Sequence, residues 1–584
     1  MKKTGLFSFN KMMLCTKRSV VVGILILEIM FGVMPFFYVK VYANFIDSVI
    51  LLYKNTISFA QLLPCFAAMV SILLFQYICS GAANILKSTL QIDVYINERR
   101  KIIDKCTKIP YEEVETESFY NNLYEVERGT FYKMVPGFFS MIKIMEQIIE
   151  VAGILLLIGT YSVTTALIVT ICFIPVFIVS SKGGKNDYEA YIRFQDKERR
   201  MESFEKILLE QPFSEEKFIF NYKRFVEKKW EKVYKEASDI LLTTKKKNYF
   251  FVKSVSIFVK IVLWVAIGAI IFLAGKGNIT IGICTMLIMQ IISIGDKLTW
   301  SLSSQLYGVS ELISFLKIYD SFMNMKEREE KSVKINSFEK VEVKNLKFKY
   351  NENGPYVLNG VSFILEKGKN YAVVGENGAG KSTLMKLLLG LYDSYEGSIL
   401  IDGVELKTIS NKQDIFSAMF QDFSKYEIKL GENIFLSGEK TSEKDVFEAM
   451  DKLNLSFDEG RSRKGLEMEL GRIDGCNSEI SGGQWQKVAM LRALFGKGKF
   501  MFLDEPTASL DPIVENEIYM NFKSLMKNKP SLLITHRLGA AMLADEIIVL
   551  ADGKVAEKGT HTDLFNKGGL YHEMFETQRQ IYAD

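Results

Sequence analysis

The stretch that decides the fold is Tyr371-Ala372-Val373-Val374-Gly375-Glu376-Asn377-Gly378-Ala379-Gly380-Lys381-Ser382. Its first four residues are an apolar run of buried-strand type, and Thr383–Leu389 behind it is helical in pattern. Between them stands the complete Gly-x-x-x-x-Gly-Lys-Ser phosphate-loop pattern, in the strand–loop–helix context it requires. Glycines let backbone N–H groups approach a phosphate closely, and the N-terminus of the following helix adds a favourable field. Gly375, Glu376, Asn377, Gly378, Ala379, Gly380 and Thr383 thus form a candidate phosphate cradle, Lys381 reaches the β- and γ-phosphates, and Ser382 is a candidate Mg2+ ligand. Working outward, a second apolar strand, Phe500-Met501-Phe502-Leu503, ends in Asp504-Glu505. Asp504 is placed to hold Mg2+, directly or through water, and Glu505 to polarise an attacking water. An isolated Asp-Glu pair would be a solvated strand end, but it follows this phosphate loop. Ile480-Ser481-Gly482-Gly483-Gln484 opens another helical run, Trp485–Phe495, a second helix start with free backbone donors. From Val341 onward short β-rich runs alternate with helical ones, which predicts an α/β domain.

Upstream the composition changes. The 584 residues are 48% hydrophobic yet 24% charged, with a mean hydropathy of +0.10. A membrane part joined to a soluble part combines those values, and the residues are sorted that way. The net charge of +4 is spread over 73 basic and 69 acidic residues, which argues against nucleic acid as a partner. Seven cysteines are scattered without a Cys-x-x-Cys, so neither a disulfide framework nor a zinc site is expected. The three histidines, His536, His561 and His572, lie near the C-terminus, which excludes histidine-based metal chemistry before them.

A hydrocarbon core of ~30 Å needs ~20 apolar residues in a helix. Candidate spans fall near 19–39, 58–86, 138–160, 162–181, 252–275 and 277–299, with Gly159-Thr160-Tyr161-Ser162 as a turn between two of them. The stretches 87–137 and 182–253 are rich in lysine and arginine, as is the N-terminal segment, whereas the other connections carry little positive charge. Positive-inside then places the N-terminus, both long connections and everything after 300 in the cytoplasm of a multi-pass cell-membrane protein. The two long connections are mostly free of glycine and proline and read as helices projecting beyond the bilayer, interrupted at Glu112–Tyr124 and Gln211–Phe225. The expected fold is an α-helical six-span transmembrane domain (1–325), a solvated linker (326–340) and an α/β P-loop NTPase domain (341–584). Glu28 and Lys260 fall mid-span and are candidate cavity residues. Glu146, Glu150, Asp296 and Lys297 are expected in cytoplasmic extensions or headgroups.

Taken together, the phosphate loop, the Asp504-Glu505 strand end and Ser481–Gln484 resemble the exporter type of ABC transporter, with membrane and nucleotide-binding domains fused. Ile480 stands where that family usually has leucine. The resemblance implies ATP and Mg2+ as cofactors and ATP hydrolysis coupled to transport. It gives Tyr350 the role of stacking on adenine, Gln421 that of touching Mg2+ and coupling to the membrane domain, and His536 that of contacting the γ-phosphate. Asp511, in Ser509-Leu510-Asp511, resembles the loop that communicates between paired domains. In this family one chain's phosphate loop and the partner's signature, here Ser481, Gly482, Gly483 and Gln484, enclose each ATP. A homodimer in contact with membrane lipids is therefore implied, and a heterodimer with a degenerate partner is the alternative. The segments near 112–124 and 211–225 are the expected coupling contacts.

A finer resemblance lies in Met419–Tyr426, Gly431-Glu432-Asn433-Ile434 and Gly482–Lys487, which are similar to nisin-type lantibiotic exporters. About eighteen residues precede the first span, too few for the leader-removing cysteine protease that another branch carries. The expected cargo is a peptide with its leader attached. The alternative is a multidrug or lipid exporter, or an importer on the same scaffold. A soluble ATPase engine with the same motifs is excluded by the spans.

Overall fold

Long runs with few glycines or prolines favour uninterrupted helices, and the N-terminal part of the chain is built from them. The computed structural model describes residues 6–171, 173–210, 213–297, 301–329, 331–336, 338–436, 442–455, 463–471, 480–507, 520–521, 524 and 529–583. They divide into two units, Met1–Ile109 with Val114–Glu327, and Pro110–Glu113 with Arg328–Asp584. In chain order the helices begin α1 (Leu6–Thr16), α2 (Arg18–Tyr53), α3 (Phe59–Lys108), α4 (Tyr111–Val114), α5 (Glu117–Gly129) and α6 (Val135–Tyr161). They continue as α7 (Val163–Ile171), α8 (Phe173–Leu209), α9 (Ser214–Phe220), α10 (Lys223–Gly275), α11 (Ile281–Asp296) and α12 (Leu302–Met323).

The helices run through the expected connections rather than stopping at the membrane edge. The helix α3 covers the span near 58–86 and goes on to Lys108, and α10 combines a charged cytoplasmic-type half with the apolar span near 252–275. The break at Ser162 between α6 and α7 falls in the expected turn. Among the described residues three helices, α2, α3 and α10, are long and apolar enough to cross a membrane, and α11 is apolar but only 16 residues long. The count of six spans therefore remains a reading of the sequence. Phe37, Leu74, Ile78, Trp264 and Phe272 are exposed on these helices, and Leu156 on α6, as an apolar surround would favour.

Small residues set the closest approaches between helices. A Cβ on Gly282 of α11 would collide with the Ala43 carbonyl of α2, and one on Gly32 of α2 would lie 2.9 Å from the Glu146 carbonyl of α6. Asp47 of α2 accepts a hydrogen bond from the Gly282 N–H at 2.7 Å, placing a carboxylate at the positive end of α11. A π-helical turn, Thr130–Met134, joins α5 to α6 just before Pro136, which has no N–H to continue a regular ladder.

The second unit holds two sheets. Strands β1 (Lys340–Phe348), β2 (Leu358–Glu366), β4 (Glu396–Ile401) and β5 (Val404–Glu405) form an antiparallel sheet in the order β2-β1-β4-β5. Strands β3 (Tyr371–Gly375), β6 (Phe416–Met419), β7 (Phe500–Asp504), β8 (Ser531–Ile534), β9 (Glu546–Ala551) and β10 (Lys554–Gly559) form the other, in the order β10-β9-β3-β8-β7-β6. All its pairings are parallel except β9 with β10. Parallel strands covered on both faces must be apolar throughout, and β3 and β7 are buried along their whole length. Because β3, β8 and β7 are neighbours and run the same way, their C-terminal ends deliver the phosphate loop, His536 and Asp504-Glu505 to one edge. The expected solvated linker is held to this unit over part of its length: Val333 bridges Ile409, and Asn411 exchanges hydrogen bonds with the Ile335 backbone.

Candidate active site

The loop after β3 needs backbone angles that a side chain resists. Gly378 and Gly380 have φ of 85° and 96°. A Cβ on Gly380 would lie 2.7 Å from Leu358 Cδ2 and 3.0 Å from the Val357 carbonyl. The loop leads into α13 (Lys381–Leu388). Lys381 is buried, and its Nζ donates to the Gly375 and Glu376 carbonyls, each at 2.8 Å. Burial lowers the pKa of its ammonium, while the carboxylates of Glu505 and Asp504 oppose that shift.

Across the loop, Asp504 is buried at the end of β7, and burial pushes its carboxyl up against a hydrogen bond from Ser382. Its Oδ1 has no hydrogen-bond partner, and a buried oxygen of this kind fits a hard divalent cation. Glu505 adopts a left-handed φ of 47°, unusual for a side chain of its size, and its N–H is tied to the Ile534 carbonyl at 2.9 Å. Its carboxylate is thereby turned toward two of the residues that the sequence singled out. Oε1 lies 2.9 Å from His536 Nδ1, and Oε2 accepts from Gln421 Nε2 at 3.2 Å. A cavity of about 620 Å³ is lined by Val357, Asn377, Gly378, Gly380, Lys381, Ser382, Thr383, Gln421, Glu505 and His536. The Lys381 ammonium and the Gln421–Glu505–His536 cluster thus face one volume, and Asp504 precedes Glu505 directly in the chain. That combination can hold a triphosphate and activate water beside it.

The remaining predicted residues fall around this cavity. Tyr350 does not line it, but its hydroxyl is 2.9 Å from Thr383 Oγ1, which does. Ser481 caps the helix Gly482–Leu494: its Oγ accepts from the Gln484 N–H, and Gln484 Oε1 accepts from the Ser481 N–H. Ser481–Gln484 lie outside the cavity of their own chain. Asp511, with Ser509 and Leu510, lies outside the described residues. The motif reading missed Gln578, whose Nε2 donates to the His536 carbonyl while its Oε1 accepts from the Leu538 N–H. No sequence pattern marks that glutamine.

The structure shows the partners of the charged residues of the helical unit. Glu28 reads in the sequence as a candidate cavity residue. It is buried, with Lys87 Nζ at 2.5 Å and Lys143 Nζ at 3.9 Å, and Lys143 also pairs with Glu146. Glu146 and Glu150 are buried among the helices, and Glu150 is bridged by Lys297. Carboxylates in an apolar bundle persist only with such partners. Lys260 is more than half exposed and pairs with Asp296 at 3.3 Å.

Fold and site together define an ATP-hydrolysing engine joined to a helical domain of membrane type. Residues 358–508 match the ABC transporter family model. That stretch is an ABC transporter ATPase domain, and the chain as a whole is similar to transporters in which it is fused to a helical domain. It is 26% identical to the subtilin transport ATP-binding protein of Bacillus subtilis over 582 residues, covering 98% of this chain and 94% of that one. It is 28% identical to the nisin transport ATP-binding protein of Lactococcus lactis subsp. lactis, covering 84% and 83%. A bacterial Atm1-family ABC exporter solved with ATP bound shares the fold, with a TM-score of 0.76 over 96% of this chain and 98% of that one, at 21% identity.

Proposed function

We propose that this chain is an exporter that works as a homodimer and moves a leader-bearing peptide out of the cell. The observation that carries the engine is the Gln421–Glu505–His536 cluster facing the Lys381 cavity. In this reading Lys381 binds the β- and γ-phosphates, Glu505 takes a proton from the attacking water, and His536 and Gln421 hold the Glu505 carboxylate in line. Ser382, Gln421 and Asp504 would hold Mg2+, which when bound would supply positive charge against the triphosphate.

The dimer is supported by two features. Ser481–Gln484 offer helix-start N–H groups that their own cavity does not use, so a second copy's ATP is the matching ligand. On α9, Phe218, Ile219 and Phe220 are 82, 76 and 70% exposed in a charged stretch, an apolar tip suited to a second copy's nucleotide unit. ATP would close the two copies and hydrolysis reopen them. The membrane count of six, the cytoplasmic placement of the N-terminus and ATPase, and the peptide cargo belong to this same reading. Support for the peptide comes from the full-length likeness to the subtilin and nisin transport proteins.

The deciding experiment uses the purified chain in inverted lipid vesicles with ATP, offered a leader-bearing cationic peptide or a lipophilic dye. Mass spectrometry of the vesicle contents should recover the untrimmed peptide. Robust movement of dye or lipid without any peptide would replace the cargo reading, and trimmed product from the chain alone would refute the leader claim.

A further inference from the structure

Beside the nucleotide site lies a ring that the motifs do not mark. Tyr392 is 4% exposed, and its centroid is 5.7 Å from Tyr350 at 81° and 5.1 Å from Phe348 at 60°. On another side it meets Tyr111, 5.6 Å away at 88°. Tyr350, Tyr392 and Tyr111 therefore form a run of edge-to-face contacts, in which the positive edge of one ring meets the negative face of the next. Tyr111 does not come from the ATPase sequence. It belongs to residues 110–113, which lie between α3 and α5 in the chain and pack with the second unit.

That segment is seated by more than a ring. Glu112 Oε1 accepts from the Asp393 N–H at 2.8 Å, the Ser394 N–H at 3.1 Å and the Ser394 hydroxyl at 2.9 Å. Asp393 is held in turn by Lys331 at 2.7 Å and Lys412 at 3.6 Å. The ammonium of Lys386, on the phosphate-loop helix α13, stands 5.6 Å from the Tyr111 ring centroid. Residues 391–394 are thus clamped between Tyr350 on one side and residues 110–113 on the other.

We propose that Tyr392 and Tyr111 are positioning residues for the nucleotide base, so that residues 110–113 complete the base site from outside the ATPase sequence. The proposal rests on the assignment of Tyr350 to the adenine. Tyr350 is 48% exposed, and a half-exposed ring loses rotamer freedom when a base stacks on it. Its hydroxyl is tethered to Thr383, and Phe348 and Tyr392 fix the plane of the ring before the base arrives. Tyr111 does the same for Tyr392. Coupling of this kind is reciprocal: if the seat of residues 110–113 favours the base, a bound base favours that seat.

The test compares Mg-ATP with inorganic tripolyphosphate, which has no base, as ligands of the full-length protein in lipid vesicles. Tyr111→Leu and Tyr392→Leu should each weaken ATP binding roughly three- to tenfold, the size of one aromatic pair, and leave tripolyphosphate binding unchanged. KM for ATP should rise by the same factor while kcat at saturating ATP holds, and Tyr111→Phe and Tyr392→Phe should restore both. Because Tyr392 is in the core, Tyr111→Leu is the deciding variant if Tyr392→Leu does not fold. Tyr350→Leu separates the two levels. Wild-type ATP affinity in Tyr350→Leu overturns the adenine assignment and the proposal with it. A loss in Tyr350→Leu with none in Tyr111→Leu, or an equal loss for ATP and tripolyphosphate, overturns the proposal alone.

Discussion

Replacing Glu505 by glutamine isolates its proton-accepting role from its shape. The two side chains have the same size, and a glutamine can still meet Gln421 and His536 at the 3.2 and 2.9 Å separations seen here by choosing its amide orientation. The left-handed backbone at this position is held by the Ile534 carbonyl and is unaffected by the change. Fold, cavity and Lys381 contacts should therefore survive, and removal of a negative charge beside the triphosphate should leave ATP binding equal or tighter. What is lost is a general base, worth typically about 10²–10⁴ in rate. At 1.36 kcal/mol per decade that is roughly 3–5 kcal/mol of barrier. The assay is steady-state ATPase in lipid vesicles alongside equilibrium ATP binding on the same preparation. Glu505→Gln should bind ATP normally and turn over at least about a hundredfold more slowly. A wild-type rate in a properly folded variant would sink the assignment of the base. A hundredfold loss accompanied by lost binding would show instead that Glu505 shapes the cavity.

Lys381→Ala removes a charged donor, and ATP affinity should fall about ten- to hundredfold, as for hydrogen bonds to charged groups, while the melting temperature changes little; isothermal titration measures it. Glu28→Gln should lower the melting temperature of the protein in detergent, because Lys87 and Lys143 lose the carboxylate between them, and a selective loss of peptide transport at unchanged stability would contradict the pairing. Burial lowers Lys412 to about 8 from 10.5, with Asp393 opposing the shift. The unfolded chain then binds the extra proton between those values, so wild-type stability should gain on Lys412→Met at lower cost in charge burial as pH rises from about 8 to about 10.5. Paired urea melts at the two pH values would refute this if the difference between the proteins did not move.

The elements legible in the sequence are those where one short stretch dictates its own geometry. Gly378 and Gly380 are glycines because their φ values are positive, and the same stretch of sequence carries β3 and α13 on either side. Long helices such as α3 and α10 were legible for a related reason: the run of residues is its own evidence. Pairing between distant segments left no such mark. Glu28 stands out as a charge in an apolar run, but its partners Lys87 and Lys143 sit on other helices. Gln578 and Tyr392 are ordinary residues whose roles come only from the neighbours the fold supplies.

The same distinction bears on cargo. The residues that carry the finer resemblance to lantibiotic exporters are in the nucleotide unit, and the structure shows what they do there. Trp485 is buried in an apolar cluster with Met419 and Leu430, and Lys487 donates to the Asn454 carbonyl. Tyr426 lies under the Arg492 guanidinium, 4.4 Å from its ring centroid, while Arg492 also reaches the Ser424 carbonyl and Asn433 Oδ1. These contacts brace the helix capped by Ser481 against Asn454 and the segment after Gln421. A shared brace of this kind marks a likeness of engines rather than of ligands. The weight of the peptide reading accordingly rests on the likeness to the subtilin transport protein, which extends over 98% of the chain and so includes the helices.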